Sequence, residues 1–357
     1  MLARIYKPMI FSFSLRKNLL NIILILFIIG LILFSSSNLL AARNGLKLWA
    51  NNVIPSLFPF LIATNLLSYT PIVTYISKKS NKFMRPLFNV PGDAAYAFII
   101  GLISGYPIGA KTVSELKINN KCTKAEAERM LCFTNNSGPL FIIGTVGVTL
   151  FSNTSIGFLL LITHILSAIS IGVILRIISK IKNSSTTNIH NTSTTPTFKN
   201  KFITFSSFGE VLSTAIIESS KTLIIIGGFV VLFSVILSIL SKGRVLILLS
   251  NIISPILKLL HIPSAFSSPI ISGILELTNG IFAVSKIATK NLSTNITICA
   301  FLLGFGGISV MLQVLSITSK AQLSIKKYFL WKMFQGLIAA FYTYCFISFF
   351  PFLIFNL

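Results

Sequence analysis

Glu276 is the residue of this 357-residue chain whose position most strongly indicates chemistry. It lies in the apolar stretch SPIISGILELTNGIFAV, and no other charged residue occurs between Lys258 and Lys286. The whole chain has only 7 acidic residues against 30 basic ones. Because an ionisable side chain in such a stretch is costly unless it faces protein, water, an ion or a substrate, we predict that Glu276 belongs to a functional site. The alternative is a glutamate at a water-exposed hairpin end.

Polar residues and glycines surround Glu276 and recur in the next apolar stretch. Its neighbours include Ser272, Gly273, Thr278 and Asn279. The next stretch contributes Gly304, Phe305, Gly306, Gly307, Ser309 and Gln313. Each glycine costs roughly 1 kcal/mol of helix propensity, so the cluster predicts an unwound segment that takes part in a binding site. Close packing of small residues between helices is the alternative.

The first half of the chain offers a comparable set of residues. Ser104-Gly105-Tyr106-Pro107 interrupts an apolar stretch, and a helix that starts at such a break presents unpaired N–H donors to an anion. Lys111 would add a positive charge for an anionic cargo, unless it extends to the membrane surface. Asn135-Asn136-Ser137, followed by Gly138 and Pro139, predicts a second unwound segment or a helix cap at the surface.

Other residue patterns argue against an enzyme, a cofactor or a metal site. The four cysteines include no Cys-x-x-Cys pair, and the three histidines are dispersed. The Gly-rich segments lack the Gly-Lys-Ser/Thr ending of a phosphate-binding loop. His164 is interpreted as a hydrogen-bonded packing residue. Glu210 and Glu218 are interpreted as structural, with Glu218 able to pair with Lys221 three residues later.

Composition predicts an all-α polytopic membrane protein. Hydrophobic residues make up 54% of the chain, charged residues 10%, and the mean hydropathy is +0.86. The net charge of +23 falls in short loops beside apolar runs. Such placement reports membrane topology and contact with anionic lipid rather than nucleic-acid binding, and it predicts a cytoplasmic N-terminus.

The apolar runs are of two kinds. Two stretches, about 86–110 and 252–285, are interrupted by Pro and Gly and predict re-entrant hairpins. The continuous runs predict about seven spans, at 18–36, 48–70, 131–152, 156–178, 219–240, 295–317 and 328–352.

The two halves of the chain are alike. LISGYPIGA (102–110) matches IISGILELT (270–278), and NNSGPLFIIG (135–144) falls opposite FGGISVMLQ (305–313). Three spans and a hairpin in each half make the second repeat inverted, an arrangement found in secondary transporters. The predicted domains are an N-terminal cytoplasmic segment and extra helix (1–44), a first repeat (45–182), a polar linker (183–204) and a second repeat (205–357).

Four motifs resemble those of a known family. They are GLISGYPIGAK (101–111), FTNNSGPLFIIGTVG (133–147), ELTNG (276–280) and FLLGFGGISV (301–310). They resemble the YlbJ-type sporulation integral membrane proteins of the nucleoside-recognition, or Gate-domain, group, over roughly residues 45–350. The resemblance implies an endospore-forming bacterium and movement of dipicolinic acid from the mother cell toward the forespore. It also implies a location in the outer forespore membrane.

The Gate-domain group is similar in arrangement to concentrative nucleoside transporters, in which two re-entrant hairpins and two interrupted helices surround the substrate. Glu276 and the break at Gly304–Ser309 match the hairpin Glu and the following break of those carriers. The first hairpin departs from them, because SGYPIGAK lacks their acid and carries Lys111 instead. This exchange suits an anionic cargo better than a neutral nucleoside and weakens the case for sodium coupling.

The leading hypothesis from the sequence is a secondary transporter of a small aromatic dicarboxylate. Glu276 would couple transport to a proton or cation, or would orient the site. Two alternatives remain, a nucleoside or related ion-coupled transporter and a non-transporting sporulation scaffold, and homo-oligomer formation is left open. The residues expected to bind the cargo are Ser104, Gly105, Tyr106, Lys111, Asn135, Asn136, Ser137, Ser272, Asn279, Phe305, Gly306 and Ser309.

Overall fold

The computed structural model describes residues 15–182, 208–288 and 292–350, and this part of the chain is helical without strands. The predicted linker at 183–204 lies outside the described residues. The first half contains α1 (Leu15–Leu33), α2 (Ser35–Leu48), α3 (Ile54–Leu67), α4 (Ile72–Phe88), α5 (Asp93–Ser104), α6 (Ile108–Ile118), α7 (Lys124–Thr134) and α8 (Thr154–Lys182). The second half contains α9 (Phe208–Lys242), α10 (Val245–Leu259), α11 (Ser267–Leu275), α12 (Leu277–Ser285), α13 (Leu292–Phe305), α14 (Gly307–Thr318) and α15 (Lys326–Phe349).

Two wider π-helical segments and two short 3₁₀ turns complete the helical elements of the described residues. Trp49–Val53 joins α2 to α3, and Phe141–Leu150 lies between α7 and α8. The 3₁₀ turns are Ser264–Phe266, before α11, and Ser319–Ala321, after α14.

Four helical stretches of the described chain are long and apolar enough to cross a membrane. They are Ser35–Leu67, Thr154–Ile181, Phe208–Lys242 and Leu292–Ala321. These stretches cover the spans predicted at 48–70, 156–178, 219–240 and 295–317. A fifth results if Tyr75–Phe88 and Asp93–Ser104, which meet at 88°, are counted as one broken span.

The other predicted spans have different outcomes. The apolar run at 131–152 is not one helix, because α7 ends at Thr134 and Asn135 is extended, with φ −95° and ψ 102°. The run at 18–36 forms a shorter apolar helix, Asn18–Leu33, and the run at 328–352 forms most of α15.

One order of elements occurs twice in the described chain. In the first half, the long helix α3 is followed by α4, the α5–α6 pair, α7 with the π-helical segment, and α8. In the second half, α9 is followed by α10, the α11–α12 pair, the α13–α14 pair, and α15. The members of each pair α5–α6 and α11–α12 pack against each other. α15 packs against α13 within the second half and against α8 of the first half.

Large apolar side chains cover much of the outer surface. They include Leu20 and Ile32 on α1, Ile224 on α9 and Leu259 on α10, each at least 60% exposed. Exposing so many apolar side chains to water is unfavourable, whereas exposing them to the hydrocarbon of a bilayer is favourable. The described chain is therefore an integral, multi-pass membrane protein with a separate protein core, formed mainly by α5–α8 and α11–α15.

Candidate functional site

Four helix breaks meet in the interior of the molecule. The first is Gly105-Tyr106-Pro107, between α5 and α6, where Gly105 has φ +78°. The second is the segment 135–138, which follows α7. The third is Glu276, an extended residue between α11 and α12, and the fourth is Gly306, between α13 and α14, with φ +86°. Three of these breaks carry a glycine, and a positive φ is favourable for glycine but strained for other residues.

Close backbone contacts join the breaks to one another. A Cβ added at Gly105 would lie 2.8 Å from the Gly138 nitrogen, and one added at Gly306 would lie 3.0 Å from the Tyr106 hydroxyl. A Cβ at Gly307 would lie 3.0 Å from the Gly273 carbonyl oxygen. The Tyr106 hydroxyl also donates a hydrogen bond to the Leu303 carbonyl oxygen at 3.2 Å. The glycines thus let all four breaks approach one point.

A small cavity of about 60 Å³ lies at this meeting point. The polar groups of its wall come from the first three breaks, α12 and α14. The apolar groups come from α3, α9, α12, α14 and the two π-helical segments. The lining includes Gly105, Tyr106, Ser137, Gly138, Glu276, Thr278 and Gln313. Because one water molecule needs about 10–15 Å³ by such a measure, the cavity has room for a few waters but not for an aromatic dicarboxylate.

Glu276 is buried and caps α12. Its Oε2 accepts a hydrogen bond from the backbone N–H of Asn279 at 2.7 Å, and its own N–H donates to the Ser272 carbonyl oxygen at 2.7 Å. The Asn279 amide donates to Ser234 Oγ on α9 at 3.0 Å. Glu276 is 3% exposed, so it is not a glutamate at a water-exposed hairpin end.

A buried polar network lies behind the second break. Lys332 on α15 is 0% exposed, and its Nζ donates to the Asn135 carbonyl oxygen at 2.9 Å and to Gln335 Oε1 at 2.6 Å. The Gln335 amide donates to Asn136 Oδ1 at 2.9 Å. The Asn135 amide donates to the Tyr328 hydroxyl at 2.8 Å, and Asn135 Oδ1 accepts from the Ala110 N–H at 3.3 Å. The network ties the first half of the chain to α15 of the second.

Lys332, Gln335 and Tyr328 are the members of this network that the sequence reasoning missed. A signal for Lys332 exists, because no charged residue follows it to the end of the chain. The argument that singled out Glu276 therefore applies to Lys332 as well. Lys326 and Lys327 lie so close before it that Lys332 looks like the last residue of a basic loop.

Of the predicted site residues, Gly105, Tyr106, Ser137 and Glu276 line the cavity. Asn135 and Asn136 lie in the network behind it, and Gly306 contacts Tyr106. Ser104 and Ser309 are buried, and each is close in sequence to a break, but neither lines the cavity. Ser104 Oγ has no hydrogen-bond partner among the described residues. Ser272 and Asn279 lie within hydrogen-bond reach of Glu276.

Two predicted site residues do not line the cavity. The ammonium of Lys111 lies 3.7 Å from Glu218 Oε2, because the first turns of α6 direct it toward α9 and away from the cavity. The Phe305 ring packs against Phe301 and Phe329, at centroid distances of 6.0 and 5.9 Å, and is 3% exposed, so it belongs to the helix core. The predicted pair of Glu218 with Lys221 is present at 3.1 Å.

His164 contacts the second break from α8. Its Nε2 accepts a hydrogen bond from the Ser137 N–H at 3.2 Å, as expected of a hydrogen-bonded packing residue. In the part of the chain that the structure describes, no group of three or more His, Cys, Asp or Glu side chains is placed to hold a metal ion.

Comparison with known proteins gives two matches. The family model "Gate: Nucleoside recognition" matches residues 50–217. The sporulation integral membrane protein YlbJ of Bacillus subtilis (strain 168) is 35% identical over 308 residues, which cover 84% of this chain and 75% of that protein. No solved structure matches the chain.

Proposed function

Because the chain belongs to the family of the sporulation integral membrane protein YlbJ and carries a nucleoside-recognition Gate domain, we propose that it is a secondary transporter of a small organic anion, dipicolinic acid, during sporulation. The proposed direction is from the mother cell to the space between the two forespore membranes. The protein would lie in the outer forespore membrane with its N-terminus in the cytoplasm. No chemical change of the cargo is involved.

The observation that carries the proposal is the meeting of four helix breaks, three of which line one small cavity. Unwound backbone at membrane depth is tolerated only where protein or a water-filled cavity satisfies its polar groups. A protein that only holds other proteins together has no need of such breaks in its interior. Broken helices around a central binding site are instead the usual arrangement of secondary transporters.

The repeated order of helices supports an inverted-repeat transporter. We propose that α5–α6 and α11–α12 are re-entrant hairpins that enter from opposite sides of the membrane. The cargo would bind between their tips and the breaks that follow α7 and α13. The cavity of about 60 Å³ then corresponds to a closed conformation, and rocking of one repeat against the other would enlarge it.

The charges around the site favour an anionic cargo. Lys332 is a fully buried lysine, and no carboxylate is ion-paired with it among the described residues. The N-termini of α6 and α14 add partial positive charge at the same point. Glu276 already accepts the Asn279 N–H, so we assign it to proton or cation coupling or to orienting the site, not to binding the anion.

The direct test is uptake of labelled dipicolinate into proteoliposomes that contain the full chain, with pH and sodium gradients varied. We expect uptake that exceeds protein-free liposomes and depends on a gradient. Gly306→Leu serves as an inactive control, because its side chain would collide with Tyr106. Uptake at the protein-free level under every gradient would contradict the proposal, and inhibition by unlabelled nucleosides in place of dipicolinate would favour the nucleoside-transporter alternative.

A further inference from the structure

Lys332 is unusual among the lysines of the described chain because it is wholly buried and lacks an acidic partner. Two carbonyl-type oxygens, Asn135 O and Gln335 Oε1, accept two of its three N–H bonds. Lysine is almost never fully buried without a counter-charge, because desolvation of the ammonium is expensive. A neutral amide donor at this position would satisfy both oxygens at a lower cost, so the packing of α15 alone does not explain the charge.

The ring of Tyr106 separates this ammonium from the cavity. Lys332 Nζ lies 5.1 Å from the ring centroid, within the range of a cation–π contact, and the same residue lines the cavity. The ring is held at its far end by the hydrogen bond from its hydroxyl to the Leu303 carbonyl oxygen and by the close approach of Gly306. One side chain therefore covers the buried charge.

We propose that Lys332 is the anion-binding residue of the transport site and that the ring of Tyr106 covers it when no cargo is bound. This inference rests on the proposed function, since it assigns the cargo a carboxylate. When the ring swings aside, the carboxylate takes its place over Nζ, and the space that the ring leaves enlarges the cavity. The hydroxyl of Ser137, which lines the cavity and has no partner of good geometry in the described chain, donates to the same carboxylate.

The ligand class that follows is a carboxylate attached to a flat ring. The carboxylate ion-pairs with Lys332, and the displaced Tyr106 ring stacks on the flat part of the ligand. A neutral ring compound would gain only the stacking contact. Pyridine-2-carboxylate and dipicolinate should therefore bind more tightly than pyridine.

The charge is tested by titration calorimetry of the purified full chain with these three ligands. We expect Lys332→Met to bind both carboxylates roughly 30-fold or more weakly and to lose the preference for them over pyridine. Lys327→Met is the matched control, because Lys327 is exposed on the same helix and pairs with Glu128, so its removal should leave the affinities as they are.

Gln335 allows a test that does not remove Lys332. Gln335→Glu places a carboxylate where Oε1 now lies, 2.6 Å from Lys332 Nζ. This carboxylate would form an ion pair with Lys332 and neutralise its charge. Gln335→Met loses the same hydrogen bond to Asn136 without adding charge. We expect Gln335→Met to bind dipicolinate at least tenfold more tightly than Gln335→Glu, whereas a purely structural Lys332 predicts no such difference.

The cover is tested with two matched tyrosine variants. Tyr106→Phe keeps the ring but loses the bond to Leu303, so the ring should swing aside more easily and dipicolinate should bind about fivefold more tightly. Tyr328→Phe loses a comparable buried hydrogen bond, to Asn135, but this ring does not cover Lys332. The substitution should therefore not tighten dipicolinate binding. Equal or weaker binding by Tyr106→Phe would overturn the covering role.

The outcomes separate this inference from the proposed function. Carboxylate binding that persists in Lys332→Met and in Gln335→Glu overturns the inference, even if dipicolinate uptake is observed. Lys332-dependent binding of a ring carboxylate without dipicolinate uptake overturns the proposed function and leaves the inference standing. A wild-type chain that binds neither carboxylate overturns both.

Discussion

Glu276 lies where α11 ends and α12 begins, and its hydrogen bonds give it a structural role. The carboxylate accepts the Asn279 N–H and so caps α12, while Asn279 itself bonds to Ser234 on α9. These contacts fix the second hairpin tip beside the cavity. A role in coupling transport to protons is separate, because it depends on the charge rather than on the hydrogen bond.

Glu276→Gln separates the two roles, because glutamine keeps an oxygen for the Asn279 N–H but removes the charge. If the acid couples transport to protons, we expect dipicolinate uptake into proteoliposomes to lose its pH dependence while thermal unfolding changes little. Glu276→Leu also removes the cap, at a cost of about 1 kcal/mol, and should unfold at a lower temperature than Glu276→Gln. A Glu276→Gln protein with the wild-type pH profile would exclude proton coupling through this residue.

Lys111 and Lys332 show which part of a site the sequence can predict. Lys111 follows the first hairpin tip directly, and the sequence therefore predicts that it supplies a positive charge to an anionic cargo. The helix that begins at Ile108 turns Lys111 toward Glu218 instead. The base beside the site is Lys332, from a helix near the end of the chain, and only tertiary packing brings it to Asn135. Local sequence carries no information on that contact.

At the scale of elements, the first hairpin is held by close packing of α5 and α6 around the end of α7. Gly101 and Gly109 both face the carbonyl oxygen of Thr134, and a Cβ added at Gly101 would overlap that oxygen. The obstacle is backbone at the end of a helix, so it cannot move aside as a flexible side chain would. Glycine is thus required where the hairpin meets the second break.

We therefore expect Gly101→Ala to destabilise the protein by about 1–3 kcal/mol, because α5 must shift away from α7. Gly228→Ala on α9 is the matched control, since nothing lies within 4 Å of its added Cβ and alanine favours a helix more than glycine does. Thermal unfolding of the two purified proteins would measure the difference. A Gly101→Ala protein as stable as Gly228→Ala would show that this packing is not needed.

The sequence predicts the apolar elements better than the amphipathic ones. The spans at 156–178, 219–240 and 295–317 lie within α8, α9 and the α13–α14 pair, because long apolar runs have few alternatives in lipid. The Lys- and Arg-rich segments 77–85 and 111–130 have the composition of loops, yet they contain about half of α4 and most of α6 and α7. A hydropathy argument misses such helices, since their charged faces resemble loop composition.

At the scale of the whole molecule, side-chain contacts hold the two halves of the chain together. Glu128 on α7 accepts from the Ser324 N–H at 3.1 Å and lies 3.7 Å from Lys327 Nζ. Deeper inside, Lys332 binds Asn135 and Tyr106 binds Leu303. A carrier whose halves rock must break some of these contacts. Lys327 is 69% exposed, so its pair with Glu128 is worth little, and the buried bonds are the ones that resist opening.

The proposed inverted arrangement of the halves makes a prediction about the membrane itself. If the repeats are inverted, the loop between α6 and α7 and the turn between α9 and α10 lie on opposite sides. The excess of Lys and Arg predicts that the α6–α7 loop faces the cytoplasm. Asn119 and Gly243 are exposed residues in these two connections, outside the helices that form the core.

Each cysteine is introduced into a protein whose four native cysteines have been replaced, and the variant is expressed in intact cells. We expect Gly243→Cys, but not Asn119→Cys, to react with a membrane-impermeant thiol reagent added to these cells. Asn119→Cys should react only after the cells are permeabilised, and this second step shows that the residue is accessible once the membrane is open. Labelling of both cysteines from outside would contradict the inverted repeat. Labelling of Asn119→Cys alone would keep the repeat and reverse its orientation, because the charge asymmetry, and not the fold, determines which side faces the cytoplasm.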